Sequence, residues 1–306
     1  MKPIAWLPHD ADGEAPMRRG RPGRSEFPQR KTRMTLSKSG LDPAWAAMLR
    51  LWACLVAGAL LVSFSAAPAG AAMVNRDAGR GKSVLYVCNL TKLEKAEAST
   101  PADPKRIATL KTWRDNDLKV VAFLRSLGFQ VRQTDEYSSI DAAKGQDLIL
   151  ISESVDAVDL GGKYRDLPIP LITFENDLLG ELGMTGWKSG RDYGTDDGQR
   201  FIFVVDAPHP LAAGLRAGAQ NVLNDEHFKM NWGKPGPGAV TIATLLGEPD
   251  KAAIFAYEKG ATMNAEFLAP ARRVSFFLWQ DTFEGLRPEG LGLFRAAVLW
   301  AVSPPE

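Results

Sequence analysis

The chain has 306 residues, 45% hydrophobic and 24% charged, with a formal net charge of +1, a composition ordinary for one large or two average globular domains. The charge is uneven: residues 1–72 hold 10 Lys and Arg against 5 Asp and Glu, while the rest hold 27 against 31. The later part is therefore mildly acidic, which argues against a nucleic-acid groove.

Residues 1–48 form a basic segment rich in Arg, Pro and Gly without apolar periodicity, a pattern of disorder. Met34 and Met48 are alternative starts within it. Residues 49–72 read as a secretory signal peptide: Arg50 flanks the apolar run Leu51–Phe64, and the small residues Ala69-Gly70-Ala71-Ala72 supply an A-x-A cleavage site. Export to the periplasm or the extracellular space follows, with membrane contact only through this segment. The alternative is an uncleaved anchor, for which the run is slightly short of the roughly 20 residues of a full span. Of the two cysteines, Cys54 lies in the signal segment. Cleavage would leave Cys88 alone, without an intrachain disulfide or a cysteine metal cluster.

Residues 73–306 follow as one α/β domain with no internal repeat. Lys82–Asn89 reads as the first, buried strand, 90–103 as a polar loop, and 104–127 as a helix with Leu118, Val121, Ala122, Leu124 and Leu127 on one face. Strands are expected at 129–134, 147–152 and 170–174, with a short helix or turn over 155–166. The stretch Ile169–Leu179 organises the rest: the apolar run 170–174 stops at Glu175-Asn176-Asp177, and 178–183 has helical spacing ending in Gly. In an open parallel sheet, ligands sit outside the carboxyl end of such a strand. The Gly-rich segment 184–200 reads as an exposed loop or hairpin. Residues 201–206 read as a further strand, and 239–246, 252–257 and 273–278 as antiparallel strands at one sheet edge. Residues 288–302 form a closing helix that docks on the sheet.

Strand-end residues are the candidates for chemistry. Asn89, Ser152, Glu153, Glu175, Asn176 and His209 each follow a strand and could converge on one crevice. Glu175 could serve as a general acid or base if burial raises its pKa; it, or Asn176, could equally cap the following helix. His209, between Pro208 and Pro210, is either a positioned imidazole or part of a rigid turn. Asp225 and His227, further ligand-binding candidates, share a face if extended, and with His209 would make a possible metal site, although no metal is assigned; a solvated loop is the competing reading. Cys88 reads as a core thiol, since no base lies near it in the chain. No Walker loop, G-x-G-x-x-G, G-x-S-x-G or H-E-x-x-H occurs, and no cofactor is assigned.

Asp206 with Ala207-Pro208-His209-Pro210-Leu211-Ala212-Ala213-Gly214-Leu215 resembles the "HP…GL" segment of trehalose-utilisation (ThuA-type) domains. Asn224-Asp225-Glu226-His227-Phe228 is similar to their "DE-x-Y" segment, with Phe228 in place of Tyr. The ending from Arg272 to Ala301 looks like their last strand and closing "W-A" helix. The resemblance runs over about residues 82–302. It implies the class I glutamine amidotransferase-like superfamily and a flavodoxin-like three-layer sandwich, mostly parallel with antiparallel strands at one edge. That superfamily's amidotransferases place a nucleophilic Cys at the strand-to-helix elbow. Here Glu175 stands at the elbow, so the resemblance argues against glutamine hydrolysis. Sugars or glycosides are the implied ligands. Three readings follow: a binding domain for a small polar or carbohydrate-like ligand, a glycoside-processing enzyme with Glu175 and His209 as its acid–base pair, or a structural envelope domain.

Overall fold

The computed structural model describes residues 78–304. The disordered segment and signal peptide expected over 1–72 lie outside the described residues. No helix among the described residues is long and apolar enough to cross a membrane.

The strands β1 (Ser83–Val87), β2 (Gln130–Thr134), β3 (Leu148–Ile151), β4 (Leu171–Thr173) and β11 (Arg273–Phe276) form the parallel half of one mixed sheet, ordered β2-β1-β3-β4-β11. This is the doubly wound order of flavodoxin-like domains. The sheet continues antiparallel through β10 (Glu248–Tyr257), β9 (Val240–Leu245), β6 (Phe201–Val204) and β7 (Gly218–Asn221). A side pair, β5 (Tyr193–Asp196) with β8 (Met230–Gly233), joins through β10.

Every residue of β3 is fully buried, as an inner parallel strand requires. Alternate residues of β1 point to opposite faces, and each face has its own core. Val84 and Tyr86 pack with Val120 and Leu124 of α2 (Pro104–Ser126) and with Leu293, Phe294 and Val298 of α4 (Pro288–Val302). Leu85 and Val87 pack with Leu160 of α3 (Ala157–Leu160), Tyr164, Leu178 and Leu182. Each such fully buried aliphatic side chain contributes roughly 1.5–3 kcal/mol.

Four expectations are corrected. Residues 90–103 are not all loop, because Lys92–Ala98 form the helix α1, whose Leu93 and Ala96 pack on Leu110 of α2. The segment after β4 is a 3-10 turn, Asn176–Leu178, rather than a helix. The strand β11 is not an outer antiparallel strand: it inserts beside β4, parallel to it, with Arg273 opposite Leu171 and Ser275 opposite Thr173. The strand β6 runs antiparallel to β9, which runs antiparallel to β10, which runs antiparallel to β11. It therefore ends at the amino side of the parallel strands, and so does the loop carrying His209.

Candidate functional site

Register places the polar strand ends. Val87 is opposite Ile151, and Ile151 opposite Thr173. Asn89, Glu153 and Glu175 each lie two residues further on, so they form a row across the carboxyl ends of β1, β3 and β4.

At the β1–β3 end the row is internally bonded. Asp117, buried on α2, accepts hydrogen bonds from Tyr86 Oη at 2.6 Å, Ser152 Oγ at 2.5 Å and Ser154 Oγ at 2.6 Å. Burial raises the Asp117 pKa, and the three hydroxyl donors oppose that rise. Asn89 donates through Nδ2 to Glu136 at 2.8 Å, accepts from the Lys92 amide at 2.7 Å, and donates its own amide to Ser154 Oγ at 3.0 Å. Ser152 and Asn89 thus close this end with bonds inside the fold.

At the β3–β4 end the row is acidic. Glu153 and Glu175 are both buried. Desolvation pushes Glu175 up to about 8; the Asp177 amide and Lys92 oppose the shift, and the charges of Asp177 and Asp156 add to it. Glu153 is raised well above the usual carboxylate range by burial, then by the charges of Glu175 and Asp177. With Glu175 at about 8 and its charge raising Glu153 further, the two carboxyls do not both ionise at neutral pH. Glu175 Oε1 also accepts from the Asp177 amide at 2.9 Å, so it caps the 3-10 turn. Glu153 Oε2 is buried and has no hydrogen-bond partner. Asp177 stands exposed at the rim, with its pKa raised by partial desolvation.

Asn231 of β8 and Gln280, beyond β11, close the cluster, and both favour the ionised form of Glu153. Asn231 Nδ2 donates to Phe174 O at 2.8 Å and Leu278 O at 2.9 Å; its Oδ1 accepts from Thr195 Oγ1 at 2.6 Å and Asn176 Nδ2 at 3.2 Å. Asn176 is therefore a strut tying β4 to the β5–β8 pair. Asn231 escaped the sequence reading, although an Asn between Met230 and Trp232 in a short apolar run is a signal of a buried polar group that must be satisfied.

The remaining candidates lie elsewhere. His209 Nδ1 accepts from the Leu211 amide at 3.1 Å, and its ring packs on Trp300 at 5.5 Å, at the amino side of the parallel strands. The acid–base pair of Glu175 with His209 is not assembled, because β6 runs the opposite way. Asp225 and His227 pair with each other at 2.8 Å on an exposed loop, the solvated reading. His209 does not join them, and among the described residues no group of three or more His, Cys, Asp or Glu could hold a metal ion. Cys88 is buried, and its thiol is pushed far up by burial and by Asp117; Gln133 Nε2 donates to its Sγ at 3.6 Å.

The strand order and the polar groups at the carboxyl ends of β3 and β4 define an α/β domain of the flavodoxin-like class. No family model matches the chain, and no curated protein does. Solved structures similar to it include a candidate GMP synthase subunit from Thermoplasma acidophilum, at 13% identity and TM-score 0.41, covering 72% of this chain and 94% of that one. A candidate ThuA-like protein of Bacteroides uniformis follows at 12% and 0.41, covering 76% and 94%. The N-terminal domain of mmIFT52 is similar at 11% and 0.40, covering 73% and 98%.

Proposed function

We propose that this is an exported domain of the glutamine amidotransferase-like superfamily that has no thiol chemistry and binds a small hydroxyl-rich ligand, of carbohydrate type, at the carboxyl ends of β3 and β4. The observation that carries this reading is the buried Glu153–Glu175 pair, raised in pKa and backed by Asn231, beside exposed Asp177. A carboxyl pair holding one proton offers a donor and several acceptors at one place, which suits neighbouring hydroxyls. The unpartnered Glu153 Oε2 adds an acceptor whose desolvation is uncompensated within the protein. The buried thiol, raised rather than lowered in pKa, speaks against a nucleophilic Cys88. The glycoside-processing alternative loses the acid–base partner first assigned to it, because His209 lies at the amino side of the parallel strands.

The test is a melting-temperature and calorimetric screen of the full chain against mono- and oligosaccharides and sugar acids. The reading expects at least one class to bind, with affinity reduced about tenfold or more in Asp177→Asn and Glu175→Gln, as for loss of a charge-assisted hydrogen bond. Absence of any binder, or binding indifferent to both substitutions, overturns it.

A further inference from the structure

Helix α4 has an outer face as well as a core face. Gly290, Leu293, Phe294, Ala297, Val298 and Ala301 point inward and are buried. The other stripe, at 288, 291, 292, 295, 296 and 299, reads Pro, Leu, Gly, Arg, Ala, Leu. Arg295 is therefore its single charged member. A helix apolar all round is normally covered on both sides.

This outer stripe forms the floor of a groove of about 910 Å³, walled by Phe123, Pro210, Trp300 and Pro304. That volume falls within the roughly 300–1,000 Å³ of small-molecule sites. Two arginines line it, and among the described residues only Arg272 is engaged. Arg272 lies over the Trp300 ring at 4.3 Å and is bound by Glu258, the Trp300 carbonyl and Ser303. Arg295 is half-buried, and no carboxylate, carbonyl or ring of the described residues engages its guanidinium. A cation held against an apolar surface without a counter-charge favours a ligand that brings the charge and apolar area together.

We propose that this groove binds a free long-chain carboxylate, with the carboxylate on Arg295 and the hydrocarbon tail along Leu291, Ala296, Leu299 and Trp300. The proposal is independent of the strand-end site. The floor supplies a clean test at Gly292, where an added Cβ would meet only the Ala213 Cβ, at 3.9 Å. A leucine there fits the helix, improves its propensity and fills the groove.

The experiment is titration of the full chain, below the critical micelle concentration, with dodecanoate, octanoate and dodecanol. Dodecanoate is expected to bind, with affinity growing roughly fourfold per methylene from octanoate. Arg295→Gln should weaken dodecanoate about tenfold or more and leave dodecanol unchanged. Gly292→Leu should keep or raise the melting temperature and abolish both. Equal binding of dodecanol and dodecanoate by the unmodified chain, unchanged affinity in Arg295→Gln, or full binding by Gly292→Leu overturns the proposal.

Discussion

Glu175 is the side chain whose titration should be visible in the whole protein. Its native pKa is raised from 4.5 to about 8 by desolvation. Between those values the native state holds a proton that the unfolded chain has released, so the stability contributed by this group is fully present below about pH 4.5 and is lost as pH rises towards 8. The loss is at most on the order of 5 kcal/mol, and partial ionisation of the coupled Glu153 reduces it. Glu175→Gln removes the titration and one of the two charges that raise Glu153. The variant should therefore show a flatter urea-denaturation profile over pH 5–8.5 and exceed the unmodified chain in stability at pH 8.5. An unchanged slope would mean that the carboxyl is hydrated. At Asp117, by contrast, removing the carboxyl destabilises. Asp117→Ala leaves Tyr86, Ser152 and Ser154 without their shared acceptor and should cost about 3 kcal/mol or more. Tyr86→Phe removes a single donor and should cost about 1 kcal/mol. Urea midpoints of the two variants measure that difference.

At the scale of elements, Arg273 shows what a strand's own pattern does not tell. The run Arg273–Phe276 is legible as a strand, but its place between β4 and β10 is not, because local alternation says nothing about the neighbour or its direction. The structure supplies the reason in the side chain: the fully buried Arg273 donates to the carbonyls of Arg165, Leu167, Ile169 and Arg272 at 2.7–3.0 Å. It fastens the segment that leads into β4 to the start of β11. An ammonium on a flexible stem cannot reproduce that fork, so Arg273→Lys should lower stability by about 2 kcal/mol or more, read from the thermal midpoint. The inner strands β1, β3 and β4 were legible because burial on both faces leaves a continuous apolar run. The short pieces β7, reading Gly-Ala-Gln-Asn, and β8, reading Met-Asn-Trp-Gly, were not, since neither has a period of its own. The same limit governed the site. Glu153 and Glu175 are strand-end residues of neighbouring parallel strands and could be found, whereas the position of His209 depended on the direction of β6.

Across the whole molecule, the acidic strand ends and the groove outside α4 lie on either side of one aromatic layer. Phe174, which precedes Glu175, packs on Phe276 at 6.4 Å and on Phe294 of α4 at 5.7 Å; Phe276 and Phe294 meet at 5.6 Å. Close-packed rings of this kind resist small displacements, yet Glu175 and Gly292 share no hydrogen-bond partner and line no common cavity. Substitutions at well-separated sites without shared partners add within about 0.5 kcal/mol. The double variant Glu175→Gln/Gly292→Leu should therefore differ from the unmodified chain by the sum of the single effects at every pH, with the change in pH slope coming from position 175 and not from position 292. Saccharide binding should respond only to the strand-end substitution, and dodecanoate binding only to the groove substitution. An interaction energy above about 1 kcal/mol in the denaturation cycle would mean instead that the Phe174–Phe276–Phe294 layer shifts as a unit, linking the ionisation of the strand ends to the outer face of α4.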